Sequence, residues 1–289
     1  MVSVTVYSED DREYLSDALD LCREYEQLLS KTVEGSDVWR INHAGGTPTE
    51  VEPRTAELIE TALYYSELSG GAFDITIAPL TALWDFKSDN PSLPKESDIE
   101  DALPLVGYRK VELDGNTVTL QDKMEIDLGA IAKGYIADRL SDYFKENGVE
   151  RALINLGGNI VTVGEKANGK WSIGVQVPFE DRNVIEGVVR TGEGSVVTSG
   201  IYERYFKVSD TVYHHILNPE TGYPATSDLL SVTVISEKSV DGDALATALF
   251  LLGMEEGKQL IESMDGFGAV LISENGEATV AGDVDFARE

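Results

Sequence analysis

Cysteine is nearly absent from this chain of 289 residues, where Cys22 stands alone. No disulfide can form within the chain, and no zinc site built on cysteines. Histidine is almost as scarce, with three residues, His43, His214 and His215, none at the His-x-x-x-His spacing of a zinc hydrolase. Positive charge is in deficit: 23 Lys and Arg face 52 Asp and Glu, a formal net charge of -29. Nucleic acids and anionic membranes are polyanions, so neither fits as the main partner. No apolar run reaches about 18 residues, so no transmembrane segment is expected. The opening Met-Val-Ser-Val-Thr-Val-Tyr alternates like a strand and lacks a signal-peptide core, and Cys22 has no lipobox-like context. Neither a dinucleotide-binding G-x-G-x-x-G after a strand nor a Walker A motif occurs.

What remains is ample for folding. Hydrophobic residues make up 42%, with 12 Tyr, 8 Phe and 3 Trp, which places the chain among globular proteins rather than disordered ones. The length fits one large domain or two interlocked lobes. Residues 2–7 alternate as a strand, and Asp10-Asp11 open an amphipathic helix to about Leu29, with Cys22 on its apolar face. Ser36 to Asn42 reads as a loop, and a helix from about Pro53 to Leu68 stops at Gly70-Gly71. A short apolar helix is expected around Pro79–Trp84, and the polar stretch 87–98, with Pro91 and Pro94, as an exposed excursion. Asp114-Gly115-Asn116 marks a hairpin. A helix from about Ala130 to Glu146 ends at Asn147-Gly148, and short strands with glycine turns fill 152–236. Helices near 242–252 and 255–264 and two closing strands, Ala269–Ser273 and Ala278–Val280, complete the chain. Helices and strands do not alternate as βαβ units. The expected class is therefore α+β, with largely antiparallel sheets and packed helices.

Four motifs carry possible chemistry. Asp127-Leu-Gly129-Ala130-Ile-Ala-Lys133-Gly134 is a carboxylate, a glycine turn, a helix start and a lysine. A helix start presents backbone N–H groups and the positive end of a dipole, which suits phosphate oxygens; an ordinary strand-turn-helix junction reads the same way. Asn155-Leu-Gly157-Gly158-Asn159 allows close backbone approach or a tight turn. Thr198-Ser199-Gly200 and Tyr213-His214-His215-Ile216-Leu-Asn218-Pro219 bring hydroxyls and a histidine pair. Asp241-Gly-Asp243-Ala-Leu-Ala-Thr247 sets a carboxylate and a hydroxyl one helical turn apart, hard ligands suited to Mg²⁺, or else helix caps. Together they point to phosphoryl chemistry on a nucleotide-like substrate, where catalysis is mostly positioning and charge neutralisation.

With Leu29-Ser30, Gly35-Ser36-Asp37-Val-Trp-Arg-Ile-Asn42, Gly71-Ala72-Phe73-Asp74 and Leu83-Trp84-Asp-Phe, these motifs in this order resemble the ApbE-type FAD:protein FMN transferases over nearly the whole chain. The resemblance implies a single ApbE-like domain spanning 1–289, a T-fold-related architecture of two interlocked lobes around a flavin cleft. It implies FAD as substrate and Mg²⁺ as cofactor. The FMN half would pass to a Thr or Ser hydroxyl of an acceptor redox protein, within an Asp-x-x-[Ser/Thr]-[Gly/Ala]-Ala-Thr-like segment, and AMP would leave. Metal ligands would be the Ala130 carbonyl, Asp243 and Thr247. Flavin dinucleotide contacts would come from Asn42, Ala72, Phe73, Asp74, Asp127, Lys133, Thr198, Ser199 and Ile216. Lys133 and the helix start would neutralise charge in catalysis, Asp243 would serve it by holding the metal, and His215 is our choice for the base that acts on the acceptor hydroxyl, or for the residue that orients it. Two alternatives share these residues: a Mg²⁺-dependent FAD pyrophosphatase giving FMN and AMP, and a non-catalytic FAD carrier. Family habit also implies extracytoplasmic, membrane-associated action, although this sequence shows no anchor. At Thr32 some members carry an aromatic residue, and at Asn218 the usual residue is Asp.

Overall fold

The computed structural model describes residues 2–86, 88, 91–166 and 169–289. The chain divides into two compact units whose segments interleave in sequence. One comprises Met1–Glu24, Ile131–Gly200 and Ser227–Glu289; the other comprises Tyr25–Ala130 and Ile201–Thr226.

The first unit is built on a seven-stranded sheet. Its strands lie side by side in the order in which the chain makes them: β1 (Val2–Val6), β2 (Ala152–Leu156), β3 (Asn159–Val163), β4 (Gly194–Gly200), β5 (Leu229–Ser236), β6 (Gly268–Ser273) and β7 (Ala278–Gly282). Every pairing is antiparallel, as expected. Side chains of a strand alternate between faces, so each strand serves two cores. Ile154 and Val161 face helix residues, with Ala18 of α1 (Tyr14–Leu29) and Ala137, Leu140 and Phe144 of α2 (Ala132–Glu146). Their neighbours Leu153 and Ile160 face the other way, toward Trp171, Ile173 and Val189 of a second, three-stranded sheet. Cys22 joins the helix-side core, and burial pushes its thiol pKa up.

Helix α2 ends where the sequence signals it should. Gly148 takes φ 75°, and Val149 N–H returns to the Phe144 carbonyl at 2.9 Å. Helix α3 (Ser239–Glu262) is one element broken at Gly253, whose φ of 79° and ψ of -176° are not helical. The two helices expected in this region are its two halves. Met254 N–H, released by the break, donates to Asp228 Oδ1 at 2.9 Å.

The second unit holds helices Asp37–Asn42, Pro53–Leu68, Ala78–Thr81 and Glu96–Ala102, a small three-stranded sheet and the hairpin Tyr205–Val208/Thr211–His214. Its apolar centre includes Leu80, Trp84, Ile99, Phe206 and Leu217. The Trp84 ring stacks with Phe86 and Tyr213, and its N–H donates to the Gly222 carbonyl at 2.9 Å.

Three local expectations need correction. Ser36–Asn42 is not a loop: Ser36 Oγ accepts from Trp39 N–H at 3.0 Å and caps a helix of six residues. That helix is anchored by the buried Asp37 carboxylate, which accepts from Glu52 N–H and the Thr55 hydroxyl. A further strand, Phe286–Arg288, follows the two expected at the end of the chain. Of the stretch 87–98, Lys87, Asp89 and Asn90 lie outside the described residues; Ser92, Leu93 and 95–98 are exposed as expected, but a helix already begins at Glu96. No helix among the described residues is long and apolar enough to cross a membrane.

Candidate functional site

In the first unit the site rests on the starts of α2 and α3. Neither helix carries a cap of its own: Ile131 and Lys238 occupy the N-cap positions without a side-chain hydrogen bond. Each start is capped by a carboxylate from the other helix. Asp243 of α3 accepts from the Gly134 N–H of α2 at 2.9 Å, and Asp138 of α2 accepts from the Ser239 and Val240 N–H groups of α3 at 2.7 and 2.9 Å. Orphan helix N–H groups are thus satisfied reciprocally. The approach this requires is close. A Cβ on Gly134 would stand 2.2 Å from the Ser239 carbonyl oxygen.

Asp243 is 2% exposed, and its second oxygen, Oδ1, is held by the Lys133 ammonium at 2.7 Å. The anion at this helix start is therefore supplied by the protein itself, which refines the expectation of N–H groups open to phosphate. Thr247, one turn beyond Asp243, has its Oγ1 3.3 Å from Ser199 Oγ on β4. Thr198 points to the opposite face, its hydroxyl 2.9 Å from that of Thr233, its cross-strand partner on β5. Lys133, Asp243, Thr247 and Ser199 thus form one group, and Thr198 stands across the sheet from it.

Burial pushes the Asp138 carboxyl up to about 6, against the pull of its two N–H donors. Between pH 4 and 6 the folded chain therefore keeps a proton that the unfolded chain has lost. Stability is full below the unfolded value and falls as pH rises through the folded one, by roughly 3 kcal/mol for a shift of about two units. Urea unfolding across pH 4–7 should show this fall in the wild type and a shallower one in Asp138→Asn. Equal pH slopes would refute it.

In the second unit the expected contact residues Asn42, Asp74 and Asp127 are each held by hydrogen bonds to the backbone of other residues of the unit. Asp74 Oδ1 accepts from the N–H and hydroxyl of Thr76 at 2.8 and 2.6 Å, and Oδ2 accepts from Tyr108 N–H at 2.8 Å. Burial raises the Asp74 pKa while these donors lower it. Phe73 is buried beside Ala72. A cavity of about 370 Å³ opens here, lined by Asp74, Gly70-Gly71, 106–110 and Pro219-Glu220. Asp127 N–H donates to the Ile75 carbonyl at 2.7 Å. Its carboxylate accepts from Gly129 N–H at 2.8 Å and pairs with Lys31 at 2.8 Å. Asn42 uses both ends of its amide on the Ile126 backbone, donating to the carbonyl at 2.9 Å and accepting from the N–H at 2.8 Å. Ala130 ends the chain segment of this unit that begins at Tyr25.

His215 follows the hairpin strand Thr211–His214 and is half-buried. Both its backbone N–H and its Nδ1 lie against the Arg204 carbonyl, at 3.1 and 3.2 Å. A carbonyl can only accept, so Nδ1 carries the proton in the neutral ring and Nε2 is the basic atom. Ile216 is buried, with its carbonyl accepting from Ala225 N–H at 2.9 Å. Asn218 Oδ1 accepts from Glu220 N–H at 2.8 Å, so the turn stands without the Asp usual there. His214 is buried with Nε2 on the Ala225 carbonyl, and burial lowers its pKa.

Sequence reasoning passes over Lys31 and Asp138, and it includes Gly134 in the first motif without a role of its own. A glycine inside a helix is itself a signal of close approach, and Gly134 carried it. The two others have partners 96 and 101 or more residues away along the chain, with no local signature.

The model of the ApbE family matches residues 1–271. The chain belongs to the ApbE family. A Klebsiella pneumoniae (strain 342) protein named FAD:protein FMN transferase is 42% identical over 278 residues, covering 95% of this chain and 86% of its own. A protein of the same name from Treponema pallidum (strain Nichols) is 35% identical, covering 93% and 80%. Among solved structures, the ApbE protein of Thermotoga maritima superposes with a TM-score of 0.88 at 33% identity, covering 97% of this chain and 92% of that one. The flavin transferase ApbE from Vibrio cholerae gives 0.82 at 25%, covering 98% and 90%. The α+β class with antiparallel sheets is thus the ApbE fold.

Proposed function

We propose that this protein transfers the FMN half of FAD to a Thr or Ser hydroxyl of an acceptor redox protein, in a Mg²⁺-dependent reaction that releases AMP. The observation that carries the reading is the group of Lys133, Asp243, Thr247 and Ser199 at the joined starts of α2 and α3. It combines hard oxygen donors with a cation in a chain of strongly negative charge. The names of the relatives support it.

The donor set fits Mg²⁺. Among the described residues no group of three or more His, Cys, Asp or Glu could hold a metal, so an ion here would rely on one buried carboxylate and on neutral oxygens. Mg²⁺ is commonly held by one or two carboxylates, waters and substrate phosphates. Asp243, the Thr247 hydroxyl and the Ala130 carbonyl are the residues that would hold it. When bound, it would neutralise charge on the pyrophosphate.

In the reaction the acceptor oxygen attacks the phosphorus on the FMN side of the pyrophosphate. A new P–O bond forms, the bond to the bridging oxygen breaks, and AMP leaves with that electron pair. The hydroxyl proton passes to a base, and His215, with its lone pair on Nε2, suits that role. Lys133 would offset charge on the phosphates. Asn42, Ala72–Asp74, Asp127, Thr198, Ser199 and Ile216 are the proposed FAD contacts. Extracytoplasmic, membrane-associated action is the corresponding expectation for location.

The test is FAD with Mg²⁺ or EDTA and an acceptor carrying the Thr motif, read by intact mass. A Mg²⁺-dependent gain of one FMN supports the transferase. Free FMN and AMP with unmodified acceptor would replace it by the pyrophosphatase, and bound FAD without turnover by a carrier. His215→Ala should slow transfer by about 10²–10⁴-fold with FAD still bound. Transfer at the wild-type rate would remove His215 from the mechanism.

A further inference from the structure

We propose that Lys133 is an internal counter-cation, seated on Asp243 until a divalent ion displaces it and frees the ammonium for the substrate phosphates. The inference rests on the reading of Asp243 as a metal ligand and adds to it an order of events.

The argument begins with burial. A carboxylate that is 2% exposed is strongly disfavoured unless paired and hydrogen-bonded. Asp243 has two partners of different kinds. Oδ2 is held by Gly134 N–H, a backbone group fixed by helix α2 and by the close approach of Ser239. Oδ1 is held by the Lys133 ammonium at 2.7 Å, the tip of a flexible four-carbon stem whose side chain is 42% exposed. The first bond aims the carboxylate; the second can be exchanged.

Two further features mark Lys133 as a placeholder. It sits in the first turn of α2, where the helix dipole disfavours a cation and where no acidic residue offsets it. The bond to Asp243 compensates that placement. The Thr247 hydroxyl lies one turn along α3 from the same carboxylate, with the Ser199 hydroxyl 3.3 Å from it. A divalent ion held by Asp243 would take that hydroxyl as a second hard oxygen ligand and carries twice the charge of the ammonium. Double charge and oxygen coordination favour the metal at that corner, and partial exposure gives the lysine somewhere to go.

The test uses the whole protein without FAD and Mn²⁺ as a spectroscopic probe. In titrations followed by electron paramagnetic resonance, wild type should bind one Mn²⁺, and Lys133→Gln should bind it about tenfold tighter, the competitor being gone. Asp243→Ala should lose the site. Independently, Mg²⁺ should raise severalfold the labelling of wild-type Lys133 by an amine-reactive ester, read by peptide mass. Unchanged or reduced labelling overturns the inference whatever the variant does, and it also decides the matter if Lys133→Gln does not fold. Mn²⁺ binding that needs Asp243 but is no tighter in Lys133→Gln overturns the counter-cation and leaves the metal reading intact. Binding that survives Asp243→Ala, or none in any form, overturns the metal reading and the inference with it.

Discussion

Asp243→Ala should all but abolish flavin transfer, lowering the rate of acceptor mass gain by about a thousandfold or more. The substitution removes three things together. The proposed metal loses its carboxylate, the Gly134 N–H loses its acceptor, and Lys133 loses its partner. Leaving a buried N–H unsatisfied costs about 1–3 kcal/mol, while Lys133, part-exposed, can be rehydrated. The fold should therefore survive the change. Asp243→Asn separates charge from shape: its amide oxygen can still accept from Gly134, yet it offers a cation no negative charge. It should fold with nearly wild-type stability and transfer almost as poorly as the alanine variant. Transfer within tenfold of wild type in Asp243→Asn would sink the metal-ligand role.

Gly134→Ala should cost much stability for a single methyl group. The added Cβ would meet the Ser239 carbonyl oxygen at 2.2 Å, its carbon at 2.6 Å and Val240 Cα at 2.7 Å, all backbone atoms. No side chain can turn aside, so α2 and α3 must separate. Separation breaks both reciprocal caps, at Asp243 and at Asp138. Overpacking of this kind costs about 3 kcal/mol, and the lost caps add to it. Thermal unfolding should shift down by roughly 6–12 °C, against the usual gain in helix propensity from Gly to Ala. A midpoint within about 2 °C of wild type would mean that the helices can part without consequence.

Much of this was legible because it is local. The end of α2 at Gly148, the break of α3 at Gly253 and the Pro53 start each depend on residues within one turn of the event. Ser36–Asn42 was misread because its helix lasts six residues, too short for periodicity to show, although its Ser36 cap was in plain view. The site was legible by residue type and not by partner. Lys133 and Asp243 each stand out by type, but nothing in a separation of 110 positions declares that they face each other. Asn42 was expected beside the cofactor, and its amide is engaged with the Ile126 backbone. Lys31, which pairs with Asp127, had no motif of its own.

The order of the seven-stranded sheet has a consequence for the nascent chain. Six strands join neighbours made soon before or after them, but β1 pairs only with β2, Val2 opposite Leu156. At 5–20 residues per second, roughly 8–30 s of translation separate the two. During that interval the alternating edge of Val2, Val4 and Val6 is outside the ribosome without its partner, while the whole segment Tyr25–Ala130 emerges. The acidic run from Glu9 to Glu13 that follows β1 gives that strand flanking charge of the kind that blunts premature strand pairing. Glu9, Asp10, Asp11 and Glu13 would thus guard the nascent strand, a use independent of the site.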